Sequence, residues 1–323
     1  MIRLTRRAAI AGATLAPLAA ARAQPRWPDK PVRLVVPFTP GGSTDILARA
    51  MGQRLSEIFG QPFIIDNRPG AGGTLGSEQV FRAAPDGQTL MMGHIGTLAV
   101  NPALYRNLAF DIAAFVPVAL VATVANVLVV NPRLPANDVP SLVALARSDP
   151  GRLTYGSGGN GSAAHIAMVA FMEATGTEMT HVPYRGTGPM MTDLISGTIN
   201  LTMTGGPPAL PPVRAGQLRA LGISSLERLP SANDIPTIAE QGVAGFDVLQ
   251  WYGIVAPPGT PAAIVERLNT ACNGILNEAP FRQRLQTEGA TATAMTPARF
   301  GTYIAAERER WGALVRRAGV TLG

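Results

Sequence analysis

Glycine-rich clusters follow several predicted strands, and they are the first residues whose type and spacing could serve chemistry. They are Gly41-Gly42, PGAGGTLG (69–76), YGSGGNGS (155–162) and RGTGP (185–189). Glycine lets the backbone approach a ligand closely, and the N-terminus of a following helix adds partial positive charge. In open parallel sheets, ligands bind beyond the carboxyl ends of the strands, where such loops gather. The clusters therefore predict an anion site built from backbone N–H groups.

Motifs for enzymatic chemistry are weak by comparison. GAGGTLG has the spacing GxGxxxG, and no strand-end acid lies about 20 residues further on, as a dinucleotide site requires. Tyr155 stands two positions before Ser157, where a nucleophile elbow of the GxSxG type needs glycine. Lys30 is the only lysine, which excludes a P-loop and makes a Schiff-base lysine implausible. The sequence favours a binding protein over the alternative, a secreted α/β enzyme that uses Ser157 or Asp45.

The histidines and carboxylates also lack a catalytic or metal-binding arrangement. His94, His165 and His181 are not paired at metal-ligand spacing, so we expect no metal ion and no cofactor. His165 and His181 are expected to be hydrogen-bonded and partly buried. Asp45 is explained as well by a role as a helix-cap group, and Asp193 by a role as a loop anchor, as either is by a catalytic role.

Strand-like and helical patterns alternate along the chain, which predicts an α/β fold with mainly parallel sheets flanked by helices. Helices are predicted over 45–59 and 163–175, each ended by a glycine. Cys272, on a later predicted helix, is expected to be buried and inert, since no second cysteine can pair with it. The buried face of the first helix should carry Leu47, Ala50, Met51, Leu55, Ile58 and Phe59.

Two further helices are predicted to begin at Thr-Pro pairs, Thr260-Pro261 and Thr296-Pro297. In each pair the threonine side chain should cap the helix, and the proline should occupy its first position.

The first 23 residues have the features of an export signal. Three arginines precede an Ala-rich apolar stretch, and Ala21-Arg22-Ala23 offers a small-residue cleavage site. The pair Arg6-Arg7 fits the twin-arginine route as well as ordinary secretion. Removing the four arginines of this segment lowers the formal charge from +6 to about +2, so a nucleic-acid partner is not expected. The longest apolar run, VPVALVATVANVLVV, is shorter than the roughly 18–20 residues of a membrane span.

Seven motifs occur in an order that resembles the Bug (Bordetella uptake gene) proteins, the solute-binding components of tripartite tricarboxylate transporters, also called TctC-like. Together they extend over essentially the whole chain after the leader. They are the segments 27–49, 67–93, 150–167, 181–200, LRALGIS, IPTIAEQG and WYGIVAPPGTP. The resemblance implies a two-lobed periplasmic binding protein of the Venus flytrap type II class. It implies a small carboxylate as ligand: a dicarboxylate or tricarboxylate, an acidic amino acid or an aromatic acid.

The same resemblance implies which residues form the site. Backbone amides and ordered water should hold the carboxylate, and Asp45 should orient loop amides or water, or receive an amino group of the ligand. Thr39 stands where relatives often carry Ala or Pro, and residues 94–102 vary among them and should touch the distal part of the ligand. The implied ligand-binding residues are Thr39, Gly42, Ser43, Asp45, Ala71, Gly96, Thr97, Ser157, Asn160, Gly161, Ser162, Tyr184, Thr204 and Gly205.

The implied organisation has a signal peptide at 1–23, a first lobe of 24–126 plus 248–323, and a second lobe of 127–247. The crossovers between the lobes are expected near NVLVVN and FDVLQWYG, which are strand-like but lack a following glycine cluster. The implied partners are the membrane permease subunits of the transporter, with the binding protein itself a periplasmic monomer. A sensor that presents its closed form to a membrane signalling protein would use the same site and remains open at this point.

Overall fold

The structure, a computed structural model, describes residues 27–105 and 107–320. The predicted signal peptide at 1–23 lies outside the described residues. Within them, no helix is both long and apolar enough to cross a membrane. The strands are β1 (Val32–Val36), β2 (Phe63–Asn67), β3 (Thr89–His94), β4 (Val116–Val130), β5 (Thr154–Ser157), β6 (Thr180–Pro183), β7 (Leu201–Gly205), β8 (Arg219–Ile223), β9 (Leu249–Ala256) and β10 (Ala290–Ala292).

Helices connect most of these strands and pack on the sheet. The α-helices are α1 (Ser43–Phe59), α2 (Thr74–Phe81), α3 (Asn101–Leu104), α4 (Val139–Ser148), α5 (Ala163–Thr175), α6 (Thr187–Ser196), α7 (Gly206–Arg214), α8 (Ala262–Asn277), α9 (Ala279–Thr287) and α10 (Pro297–Arg317). Three short 3-10 helices (Ala71–Gly73, Ile112–Ala114, Pro230–Ala232) and a π-helical turn (Gly96–Val100) complete the described elements.

One mixed sheet runs through the molecule in the order β2-β1-β3-β9-β4-β7-β5-β6. Pairs toward both ends of this order are parallel, β1 with β2 and β3, and β5 with β6 and β7. The central pairs are antiparallel. They are β3 with β9, β9 with β4, and β4 with β7. The predicted α/β fold class is confirmed, but the sheet is mixed, whereas mainly parallel pairing was predicted.

The long strand β4 changes its partners partway along its length. Its residues Val116 to Ala125 pair with β9, whereas Asn126 to Val130 pair with β7 and β8. The switch therefore falls between Ala125 and Asn126. A 15-residue apolar run thus serves both halves of the sheet as a single strand.

The predicted helices are largely present, with a local difference at the end of α1. Helix α5 matches its prediction, and Gly176 ends it in the left-handed conformation. In α1, Ile58 lies on the predicted buried face but is 49% exposed. The last turn of α1 packs instead through Phe59, whose ring contacts those of Trp27 and Phe63.

The two Thr-Pro pairs behave differently. The Thr296 side chain accepts a hydrogen bond from the N–H of Arg299 and caps α10, as predicted. The cap predicted at Thr260 is wrong, because α8 begins after Pro261 and has no side-chain cap. The Thr260 hydroxyl instead donates to the carbonyl of Pro257 at 2.8 Å.

A buried carboxylate fixes α10 against β9. Glu307 accepts hydrogen bonds from the indole N–H groups of Trp251 in β9 at 2.9 Å and of Trp311 in α10 at 2.7 Å. All three side chains are buried. Elsewhere in the core, Cys272 is fully buried as expected, and burial raises the pKa of its thiol to about 12.

Replacing Glu307 by alanine should destabilise the protein, since two buried indole donors lose their acceptor. We expect Glu307→Ala to lower the free energy of unfolding by about 2–4 kcal/mol in urea titrations. The exposed Glu309 on the same helix provides a matched control, and Glu309→Ala should stay within about 0.5 kcal/mol of wild type. Equal stability of the two variants would show that the carboxylate does not hold α10 in place.

Candidate functional site

A small polar cavity lies where the first turns of three helices meet. Its volume is about 20 Å³, enough for roughly one water-sized group. None of the described residues that line it is Lys, Arg, Asp or Glu. The lining residues are Phe38, Gly42, Ser43, Thr44, His94, Gly158, Ser162, Ala163, Ala164, Thr187, Thr204, Gln250 and Tyr252.

The helix starts leave backbone donors beside this cavity. Helix α1 begins after Gly42 and α6 begins after Gly186, and neither glycine can supply a side-chain cap. The first N–H groups of a helix have no partner within the helix and carry its partial positive charge. Helix α5 begins after Ser162, whose hydroxyl accepts from the N–H of His165. The three starts thus surround the cavity with N–H groups and with hydroxyls of Ser and Thr.

Asp45 holds the loop before α1 in shape. Its carboxylate accepts hydrogen bonds from the N–H of Gly41 at 3.1 Å, from Asn67 at 3.0 Å and from Arg49 at 3.0 Å. Burial raises the pKa of Asp45, but the hydrogen bonds from Arg49, Asn67 and Gly41 outweigh burial and hold that pKa below its usual value. The charge of Asp45 is therefore neutralised by protein partners, and its place is behind the cavity rather than in its lining.

Two neutral histidines hold the turns on either side of the cavity. His94 Nδ1 accepts the N–H of Thr97 at 3.2 Å, and His165 Nδ1 accepts the N–H of Gly161 at 3.1 Å. Burial lowers the pKa of His94 to about 4; burial and the nearby His181 lower the pKa of His165 to about 3. Because Nδ1 is the acceptor in each ring, the ring proton lies on Nε2. His94, which lines the cavity, can thus act as a donor there.

The loop after β5 is braced from behind by an aromatic stack. The rings of His165 and His181 lie 4.1 Å apart, and Tyr155 stacks on His181 at 4.9 Å. Ser157 Oγ pairs with His181 Nε2 at 2.6 Å and also accepts the N–H of Gly159. Ser157 and the N–H of Gly161 are thus occupied in shaping the loop.

A buried polar chain connects the cavity to the two long strands. Tyr252 donates to Gln250 Oε1, and Gln250 Nε2 donates to Asn126 Oδ1. Asn126 Nδ2 in turn donates to the carbonyl of Val248 at 2.6 Å. Gln250 and Tyr252 line the cavity, whereas Asn126 is the residue at which β4 changes partners.

Loops from the two sides of the cavity approach each other closely. A Cβ atom at Gly186, where φ is +151°, would overlap Thr39 Oγ1. A Cβ at Gly72, where φ is +61°, would overlap the carbonyl oxygen of Asn160. Glycine is required at both positions for this close approach.

A second, larger cavity adjoins the first and shares Phe38 and Gly158 with it. Its volume is about 380 Å³. The loop at 69–73 forms one wall, and Leu75 is 57% exposed beside it. Tyr184 and Arg185 also line it. We call the small cavity the inner cavity and this one the outer cavity.

The structure places the sequence-predicted site residues in three groups. Gly42, Ser43, Ser162 and Thr204 line the inner cavity, and Ala71 and Tyr184 line the outer one. The remaining residues lie outside both linings, in the turns and loops already described or next to them: Thr39, Asp45, Gly96, Thr97, Ser157, Asn160, Gly161 and Gly205.

Several lining residues were missed by sequence reasoning. Thr187 lies within the RGTGP cluster and could have been found, since it follows a glycine at a helix start. Gln250 also left a signal, because a polar residue interrupts the apolar strand LQWYGIVA. In the inner cavity, the lining residues absent from the prediction are Phe38, Thr44, His94, Gly158, Ala163, Ala164, Thr187, Gln250 and Tyr252. In the outer cavity they are Phe38, Pro69, Gly70, Gly72, Gly73, Leu75, Gly158 and Arg185.

Within the described residues, no group of three or more His, Cys, Asp or Glu side chains could hold a metal ion. Ser157 and His181 form a close pair, but none of the hydrogen bonds found among the described residues joins a carboxylate to that histidine. The arrangement favours binding of an anion through N–H and O–H donors.

Comparison with known proteins identifies the family. Residues 47–320 match the family model described as TctC, tripartite tricarboxylate transporter family receptor. Protein BugT of Bordetella pertussis is 34% identical over 325 residues, covering 99% of this chain and 100% of that protein.

Solved structures agree with this assignment. Rpa4515 of R. palustris, solved with adipate, is 39% identical with a TM-score of 0.89, over 92% of this chain and all of that one. MatC of Rhodopseudomonas palustris, solved with bound malate, is 34% identical with a TM-score of 0.85, over 90% of this chain and all of that one. The chain therefore belongs to the TctC family, the receptors of tripartite tricarboxylate transporters, and it is a solute-binding protein with a periplasmic binding protein fold, not an enzyme.

Proposed function

We propose that this protein captures a small carboxylate in the inner cavity and delivers it to the permease subunits of a tripartite tricarboxylate transporter. The observation that carries the proposal is the meeting of three helix starts, two of them uncapped by a side chain, around one cavity. Such starts attract anions through N–H groups and partial positive charge. The acids bound by Rpa4515 and MatC support the same ligand class.

Backbone and hydroxyl donors would hold the carboxylate without a cationic side chain. The available donors are the N–H groups at the starts of α1 and α5, the hydroxyls of Ser43 and Thr187, and the Nε2–H of His94. Hydrogen bonds to a charged group contribute about 1.5–3 kcal/mol each. Three or four of them, less the ordering costs of association, correspond to affinities near micromolar.

The proposed architecture keeps the predicted lobes, with 24–126 plus 248–323 as the first and 127–247 as the second. Support comes from β4, which changes partners between Ala125 and Asn126, next to the proposed boundary. The inner cavity is lined from both sides of this boundary, for example by Gly42 and Ser162. We further propose export to the periplasm through the leader at 1–23, and action as a monomer.

Binding should raise thermal stability without chemical change of the ligand. A ligand that binds only the folded state at a hundredfold excess over Kd adds about 2.7 kcal/mol to the free energy of unfolding. Ligand-free protein, refolded from denaturant and checked by native mass spectrometry, should show an upward Tm shift with at least one acid. The panel should contain C4–C6 carboxylates and aromatic acids. Unchanged melting with every acid of the panel would contradict the proposal.

Substituting Gly42 tests the contribution of α1. Its φ of −85° suits any residue, but a Cβ would lie 3.0 Å from Thr187 Oγ1 across the cavity. Gly42→Val should weaken binding of the stabilising acid more than about tenfold, equivalent to about 1.4 kcal/mol, in titration calorimetry. Gly274, on α8 with open space around it, is the matched control, and Gly274→Val should bind normally. A folded Gly42→Val protein with wild-type affinity would show that the start of α1 does not contribute to ligand binding.

A further inference from the structure

The two cavities differ greatly in size, so each would hold a different part of the ligand, the inner one its head and the outer one its tail. The inner cavity, at about 20 Å³, cannot hold more of a ligand than its carboxylate head group. The outer cavity, at about 380 Å³, falls in the range of small-molecule sites. Since the two share Phe38 and Gly158, a molecule held by its head in the inner cavity would place its remaining atoms in the outer one.

The outer cavity has mainly apolar walls. Phe38, Pro69 and Leu75 provide apolar surface, and the glycine-rich loop between them presents backbone. Tyr184 already donates its hydroxyl to Asp193 at 2.7 Å. These walls fit a hydrocarbon segment better than a hydrated polar chain.

Arg185 is the exception, as the one charged residue in that lining. Among the described residues it makes no ion pair and no side-chain hydrogen bond, whereas Arg49, Arg54 and Arg228, for example, are paired with carboxylates. A guanidinium carries five donors in a planar fork that matches a carboxylate. The Arg185 guanidinium would therefore pair with an anionic group of a ligand in the outer cavity.

We infer that Arg185 forms a distal anion subsite, and that the preferred ligands are acids with an apolar middle and a second anionic group at the far end. The inference rests on the proposed function, because it assumes that the first carboxylate sits in the inner cavity. It makes Arg185 a specificity-determining residue, because the protein would bind an α,ω-dicarboxylate more tightly than the monocarboxylate of the same chain length. Since Arg185 is exposed, its contribution is moderate and is screened by salt.

Calorimetric titration with matched acid pairs tests this inference. The pairs are butanedioate with butanoate, hexanedioate with hexanoate, and octanedioate with octanoate, each titrated into ligand-free wild type, Arg185→Gln and Arg299→Gln. Arg299 is the matched control, as it is exposed on α10, lines neither cavity and has no side-chain hydrogen bond among the described residues. Circular dichroism melts verify that all three proteins are folded.

Wild type should bind at least one dicarboxylate more tightly than its monocarboxylate partner. Arg185→Gln should weaken that dicarboxylate about 3- to 10-fold and the monocarboxylate less than about twofold, whereas Arg299→Gln should change neither. If Arg185→Gln leaves the preference unchanged, or weakens both acids equally, the distal subsite is wrong while carboxylate binding stands. If no acid of any pair binds wild type, the proposed function fails, and the subsite with it.

Discussion

The arrangement of the site follows from one constraint, namely that helix N-termini with unpaired N–H groups face one another across a narrow cavity. A carboxylate can satisfy these donors, but a side-chain cap would compete with it. This accounts for glycine at the starts of α1 and α6. It also accounts for Asp45, whose charge is held behind the cavity by Gly41, Arg49 and Asn67 rather than presented to an anionic ligand.

The surroundings of the cavity serve to hold these donors in position. His94 and His165 are buried and neutral, and each accepts the N–H of a turn beside the cavity. A charged imidazole could not accept those bonds, and burial, which lowers the pKa of both rings, keeps them in the neutral form that can accept them. On the remaining side, Gln250 and Tyr252 line the cavity and connect through Asn126 to the strand that pairs with both halves of the sheet. A ligand that contacts Gln250 therefore contacts a hydrogen-bonded chain of side chains that connects β9 with β4.

Much of the fold could be predicted from the sequence because its strands are apolar runs followed by glycine-rich turns. Strands β2 and β3, for example, are the apolar runs FIIDN and TLMMGH. Local patterns failed at Ile58, where Phe59 made the packing contacts, and at Thr260, because α8 begins only after Pro261. The glycine clusters pointed to the helix starts but not to Gln250 or Tyr252, which reach the cavity through antiparallel pairing of a distant strand. Similarly, Tyr155 and His181 stack because they are register partners in β5 and β6, and His165 of α5 stacks on His181; the sequence separation of these residues does not reveal either contact.

The central claim is that backbone N–H groups at opposing helix starts hold the carboxylate. A crystal structure of the protein with the acid that stabilises it most would test the claim directly. We predict carboxylate oxygens about 2.7–3.2 Å from backbone nitrogens at the start of α1 on one side and of α5 on the other. A ligand with no carboxylate at either helix start, or with its only carboxylate there held by an arginine side chain in place of these N–H groups, would contradict the account.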